Sequence, residues 1–240
     1  MSAKNSVKVY VENGYYHIYN RGVNKQEIFN NPQDHEVFLH FLKRYLTPFS
    51  SLSKDERFLK FQPTWRTDIH KKVKLIAYCL MPNHFHLLVK QFVREGMTEF
   101  MRALSNSYVR YFNETYERIG PLFQGRFKAV LIETTPYLLH LTRYIHLNPI
   151  ADDLVDKSAS QTQVGPVDRS DLLKQLNVYP YSSYNYFLRK KKAEWVKPEE
   201  VLDCFRSPQA IGSKKYSSYQ SFVEDYALDS TEFLKELTLE

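Results

Sequence analysis

The stretch KLIAYCLMPNHFHLLVKQF, residues 74–92, decides the fold. Its first half, KLIAYCLMP (74–82), is a short apolar run of strand length, and Pro82-Asn83 supplies the turn. HFHLLVKQF (84–92) returns as an antiparallel partner. In that second strand His84 and His86 stand two residues apart. Successive side chains of a strand point to opposite faces, so both imidazoles share one face while Phe85 points into the core. Two histidines so placed just beyond a turn sit at a sheet end, where one ion could reach both.

Working outward, residues 7–19 (VKVYVENGYYHIY) read as a strand or hairpin around Asn13-Gly14, with NRGVNK turning after them. Val37, Phe38, Phe41, Leu42 and Tyr45 recur at helical spacing, which predicts a helix from Pro32 to about Tyr45 capped by Asn31. A second helix is expected from Thr98 to about Arg118, ended by Gly120-Pro121, and FKAVLIE (127–133) is a further strand. Thr135-Pro136 opens a third helix to about Leu147, where Asn148-Pro149 is expected to stop it. Residues 46–70 and 151–175 are polar and read as loop-like insertions. Short amphipathic stretches near 183–190, 198–206 and 216–226 form a helical C-terminal appendage. This order predicts an α+β protein, an antiparallel sheet backed by helices.

The third helix supplies what a histidine pair lacks. In HLTRYIHLNP, His140, Tyr144 and Asn148 are spaced i, i+4, i+8 and lie along one face. Asn148 offers a hard oxygen to an ion and Tyr144 presents a hydroxyl beside it. Spacing alone does not single out Tyr144, since the chain holds 18 tyrosines and most helical tyrosines pack in cores.

Composition narrows the function classes. At 240 residues, with 43% hydrophobic and 15% aromatic content, the chain is globular over most of its length. Only 7 glycines are present, and neither G-x-G-x-x-G nor G-x-x-x-x-G-K-[ST] occurs, which argues against a phosphate-cradling loop. Cys79 and Cys204 have no C-x-x-C partner and read as reduced thiols of a cytosolic protein. The N-terminus has no signal-peptide core, and no apolar run approaches the ~20 residues that span a bilayer. The net charge of +6 hides an asymmetry: residues 224–240 carry six acids and one base, leaving +11 on residues 1–223. A basic body suits a polyanionic partner, although charge alone also fits ordinary surface lysines.

Taken together, MPNHFHLLV, SYVRYFNETYERIGPLFQGRFKAVLIE and YLLHLTRYIHLNPI resemble the insertion-sequence single-tyrosine transposases that carry a His-hydrophobic-His motif. Within these the chain is most similar to the REP-associated tyrosine transposase branch. YYHIYNRGVNKQEIF and YPYSSYNYFL (179–188) extend the likeness over most of residues 10–190. The resemblance implies a ferredoxin- or RRM-like antiparallel sheet with helices on one face, in a domain spanning 1–190. Residues 191–240 follow as a tail that could help bind DNA. It further implies His84, His86 and Asn148 as metal ligands, Mg²⁺ or Mn²⁺ as the metal, and Tyr144 as the nucleophile. Related transposases carry Gln where this chain has the shorter Asn148.

The activity implied is cleavage and rejoining of single-stranded, hairpin-bearing DNA through a 5′-phosphotyrosine, inside a bacterial cell at the nucleoid, with a homodimer compatible and no membrane. Asn20, Arg21 and Lys25 in the first turn, and Arg110, Gln124, Arg126 and Lys128 further on, are the expected DNA contacts. Arg189-Lys190-Lys191-Lys192 is a further basic cluster, equally readable as a solvated helix end. Two other readings stay open. One is a non-catalytic nucleic-acid-binding regulator on the same fold. The other is a phosphoesterase with paired His-x-Thr triplets, for which only His140-Leu141-Thr142 is available.

Overall fold

The computed structural model describes residues 9–52, 68–159, 169–207, 209–211 and 214–229. The remainder of the expected 46–70 insertion, the middle of the 151–175 segment and the acid-rich end of the chain lie outside the described residues.

Four strands form the central sheet: β1 Tyr15–Arg21, β2 Val73–Met81, β3 His84–Gln91 and β4 Lys128–Ile132. Their spatial order is β2-β3-β1-β4, and every pairing is antiparallel. Helix α1 (Pro32–Leu46) connects β1 to β2, and α2 (Gly96–Thr115) connects β3 to β4. This is the βαββαβ arrangement of ferredoxin-like folds. The segment at 7–19 thus yields one strand among the described residues, entered through a turn in which Asn13 adopts φ 60°.

The two connecting helices share one face of the sheet. Phe38, Phe41 and Leu42 of α1, with Phe100, Met101, Leu104 and Tyr108 of α2, pack on Tyr16, Ile18, Phe85, Leu87 and Val89. Asn31 caps α1, its side-chain oxygen accepting the Asp34 N–H at 3.1 Å. The buried Asp34 carboxylate then receives the Tyr111 and Tyr116 hydroxyls, each at 2.8 Å, so it ties the helices together.

The other face is not left bare. Helix α3 (Thr135–Ala159) crosses it and packs on Ala77, Cys79 and Leu88 through Leu141, Tyr144 and Ile145. One-sided packing therefore describes α1 and α2, while α3 opens a second core. A bulge makes this core reachable from β2: Leu75 pairs with Val89 and Ala77 with Leu88, which leaves Ile76 unpaired. The extra residue reverses the side-chain alternation, so Ala77 and Cys79 face α3 whereas Leu75 faces α1 and α2.

Two expectations are corrected here. Asn148-Pro149 does not end the third helix, which continues through Pro149 to Ala159. Proline costs a helix one hydrogen bond, but Ile145, Leu147 and Ile150 around it are fully buried and hold the backbone helical. Nor is 151–175 a loop throughout, because α3 runs into it and α4 (Arg169–Val178) closes it, with Leu172 and Leu176 buried one turn apart.

The C-terminal region joins the second core. Helical turns at Tyr184–Phe187 and Glu199–Leu202 are followed by a small hairpin, β5 (Gln209–Ile211) with β6 (Lys214–Tyr216), and then α5 (Tyr219–Asp229). Tyr219, Phe222 and Val223 of α5 are buried with α3. Glu200 fastens the region to the sheet through Lys74, Lys90 and the Tyr15 hydroxyl.

Candidate active site

β-sheet register assembles the site. His86 pairs with Tyr19 on one side and Cys79 on the other, while His84 pairs with Arg21 and Met81. Tyr19 in turn pairs with Lys128 of β4. Two adjacent rows therefore cross the sheet on the α3 face, with the histidine rings 5.0 Å apart between centroids. His17, Tyr19 and Arg21 point to this same face because they alternate along β1.

Helix α3 lays its reactive side chains over these rows. The Tyr144 ring lies edge-on to His86, centroids 5.3 Å apart, and 6.2 Å from His17, and it is 6% exposed. One turn later, Asn148 brings its Oδ1 within 3.1 Å of His84 Nε2. Tyr144, His84, His86 and Asn148 thus converge. His140, a turn earlier, does not join them: it bonds Arg143 at 2.8 Å and lies against Phe222.

The donor set fits a divalent ion. His84 Nδ1 stands 2.6 Å from Asn83 Oδ1, whose amide is oriented by donating to the Lys25 carbonyl. Asn83 Oδ1 can only accept, so His84 Nδ1 carries a proton, and the 3.1 Å between His84 Nε2 and Asn148 Oδ1 is a gap that a proton or an ion can fill. Among the described residues no three His, Cys, Asp or Glu side chains cluster as a metal site, and the oxygen beside His84 is the amide oxygen of Asn148.

Burial keeps the surrounding imidazoles neutral, the form that binds metals. It pulls His17 down to about 3. It also holds His86 well below the usual range, with smaller contributions from His84 and His17. His86 Nδ1 lies 2.8 Å from His17 Nε2.

The expected DNA contacts divide by place. Arg21 and Lys128 flank the histidines on the sheet face, with the Lys128 ammonium 5.5 Å from the Tyr19 ring centroid. Gln124 and Arg126 are exposed on the loop leading into β4, which is tied to β1 by a bond from the Gln124 N–H to the Arg21 carbonyl. Asn20 faces the other way and is buried, donating to the Gly125 carbonyl at 3.1 Å. Arg110 is exposed on α2, across the sheet from the histidines.

Sequence reading missed Asn83 as the group that orients His84, and His17 as the neighbour of His86. Alternation along β1 could have put His17 on a face with Tyr15 and Tyr19. Nothing local could have revealed the cross-strand register that brings it to His86. It also missed His146, which is fully buried between the Tyr219 hydroxyl at 2.6 Å and Ser183 Oγ at 2.7 Å.

Residues 62–148 match the family model of IS200-like transposases. The matched segment contains His84, His86, Tyr144 and Asn148, and ends on the last of them. Among solved structures, the chain is similar to a REP-associated tyrosine transposase bound to a REP hairpin, with 13% identity and a TM-score of 0.49 over 82% of this chain and 98% of that one. It is also similar to a chain of Deinococcus radiodurans R1 assigned as a transposase, with 12% identity and a TM-score of 0.35 over 60% of this chain and 95% of that one. No curated protein matches the sequence. Among the described residues no helix is long and apolar enough to cross a membrane.

Proposed function

We propose that this transposase cuts and rejoins single-stranded, hairpin-bearing DNA by the single-tyrosine route, with Tyr144 as nucleophile and a divalent ion held by His84, His86 and Asn148. The observation that carries the reading is the convergence of the four side chains on one sheet face, inside the family-matched segment.

Tyr144 supplies a hydroxyl whose ordinary pKa near ~10 makes it a weak nucleophile at neutral pH, so its target needs activation. Bound at the two imidazoles and the Asn148 amide, Mn²⁺ or Mg²⁺ would supply Lewis-acid polarisation of the scissile phosphate. The Tyr144 oxygen attacks phosphorus and gives up its proton to solvent, the bond from phosphorus to the 3′ oxygen breaks, and that oxygen takes up a proton from solvent and leaves as a 3′-hydroxyl. The DNA stays joined to Tyr144 through its 5′ phosphate. Because this linkage is itself a phosphodiester, a 3′-hydroxyl can reverse it without an energy source.

A phosphotyrosine suits transfer over hydrolysis, because it holds the cut strand on the protein until a 3′-hydroxyl attacks. Arg21 and Lys128 are placed to hold phosphates on either side of the histidine rows, and Tyr19 gives a face on which a base can stack. The cellular setting that follows is the bacterial cytoplasm, at exposed single strands of the nucleoid.

The test is incubation with labelled single-stranded hairpin DNA and Mn²⁺, followed by mapping of the adducted peptide. An adduct on the peptide holding Tyr144, absent in Tyr144→Phe and with chelator, is expected. An adduct on Tyr137 or Tyr108 would overturn the assignment. Tyr108 is on the opposite sheet face with its hydroxyl given to the Ile28 carbonyl, so the structure makes it a poor competitor.

A further inference from the structure

We infer that His17, on β1, is a positioning residue for the metal site, accepting the Nδ1 proton of His86 and so leaving the Nε2 lone pair of that ring free for the ion. This rests on the metal reading given above.

The argument starts from the two ways an imidazole can be protonated. A neutral histidine carries one proton, on Nδ1 or on Nε2, and only the other nitrogen can bind a metal. His86 Nδ1 is 2.8 Å from His17 Nε2, with both residues buried. The Nδ1 of His86 is therefore committed to His17, and Nε2 is the nitrogen left for the cleft. For Nε2 to bind, the proton must sit on Nδ1, and His17 Nε2 is the acceptor that holds it there.

The sheet fixes this acceptor in place. His17 and His86 are diagonal neighbours on adjacent strands, since His17 pairs with Leu88 and His86 with Tyr19. The His17 ring is stacked between Tyr19 and His86, centroids 5.0 Å from each. Its remaining nitrogen, Nδ1, is buried and has no hydrogen-bond partner among the described residues. A buried polar atom left unsatisfied costs roughly 1–3 kcal/mol. A ring retained only for packing would be better served by phenylalanine, so the bond at Nε2 is the feature that distinguishes histidine here.

His84 gives the parallel case. Its Nδ1 proton goes to Asn83 Oδ1 at 2.6 Å, and its Nε2 faces Asn148. Each metal-facing imidazole thus has its own orienting acceptor, Asn83 for one and His17 for the other, as metal-ligating histidines generally do.

The test uses the full-length protein in four forms: wild type, His84→Ala, His17→Phe and His17→Gln. Mn²⁺ affinity is read from the free-ion signal in electron paramagnetic resonance, and folding is checked by thermal midpoint. His17→Phe keeps an aromatic ring but offers no acceptor, and it should weaken Mn²⁺ binding by about 10–100-fold. His17→Gln places an amide oxygen near the Nε2 position and should restore most of the affinity. A second measurement needs no metal: ¹⁵N chemical shifts of His86 in the metal-free wild type should show the proton on Nδ1. Finding it on Nε2 there would overturn the inference.

The outcomes separate the two ideas. Wild type and His84→Ala that both fail to bind Mn²⁺ would remove the metal reading and this inference with it. Weaker binding by His84→Ala, with His17→Phe equal to wild type, would sink the inference alone.

Discussion

Replacing His146 with leucine tests how the helix bearing Tyr144 and Asn148 is held down. His146 lies between those two residues on α3 and is fully buried. Burial keeps it neutral, down to about 3. One nitrogen therefore donates and the other accepts. Ser183 Oγ already donates to the Tyr78 carbonyl at 3.1 Å and accepts the Tyr78 N–H at 2.8 Å. His146 Nε2–H accordingly donates to Ser183, and Nδ1 accepts from the Tyr219 hydroxyl. Leucine would fill most of the volume but make neither bond. Ser183 keeps its two partners on β2, whereas the Tyr219 hydroxyl loses His146.

Because the Tyr219 hydroxyl keeps a hydrogen bond with Thr142, the expected cost is that of the two lost bonds, about 1 kcal/mol each or about 2 kcal/mol together. Urea unfolding at pH 7 measures it as a shift of the midpoint at constant slope. Tyr219→Phe removes the bonds to His146 and Thr142 and should cost about 2 kcal/mol as well. A loss below about 1 kcal/mol for either variant would refute the bonding scheme.

Two further outcomes follow from the fold. Asp34→Ala leaves the Tyr111 and Tyr116 hydroxyls and the Asn30 N–H without their shared carboxylate. It should destabilise the protein by about 3 kcal/mol in the same assay, and a near-neutral result would mean that water replaces the carboxylate. At Glu200, burial alone would raise the carboxyl, but hydrogen bonds from Lys74, Tyr15 and Lys90 outweigh it and hold the group below its ordinary range. A depressed carboxylate stabilises the fold above the unfolded pKa, near ~4.3, and the contribution fades as pH falls through the folded value. Glu200→Gln should therefore lose less stability than wild type between pH 5 and pH 3, and parallel losses would contradict the sign.

Much of the central sheet was legible because its cues are local. Alternation in 84–92, the Pro82-Asn83 turn and the Asn31 cap each act over a few residues, and each appears where expected. The pairing of Tyr144 with Asn148 was legible for the same reason, since one helical turn separates them. What escaped depends on contacts between distant parts of the chain. Pro149 reads as a helix stop until the buried Ile145, Leu147 and Ile150 are seen to outweigh it. The second core was invisible because nothing in FKAVLIE or YLLHLTRYIHLNP says which side of the sheet the helix will take. The bulge at Ile76 likewise changes which β2 residues face the site without leaving a local signature. His17 became meaningful only through register.

The packing of α5 against α3 carries a consequence for the order in which the molecule is made. Arg143, beside the tyrosine, is buried, donates to the Phe222 carbonyl at 3.3 Å and places its guanidinium 4.2 Å from the Phe222 ring centroid. His146, on the same helix, bonds Tyr219. The anchors lie 73 and 79 residues further along the chain than the residues that they hold. A nascent polypeptide can thus complete the sheet, both histidines and the tyrosine long before it can clamp the helix that carries that tyrosine. A product truncated before Tyr219 would retain Tyr144, both histidines and Asn148 yet lack both anchors of the helix that carries the tyrosine.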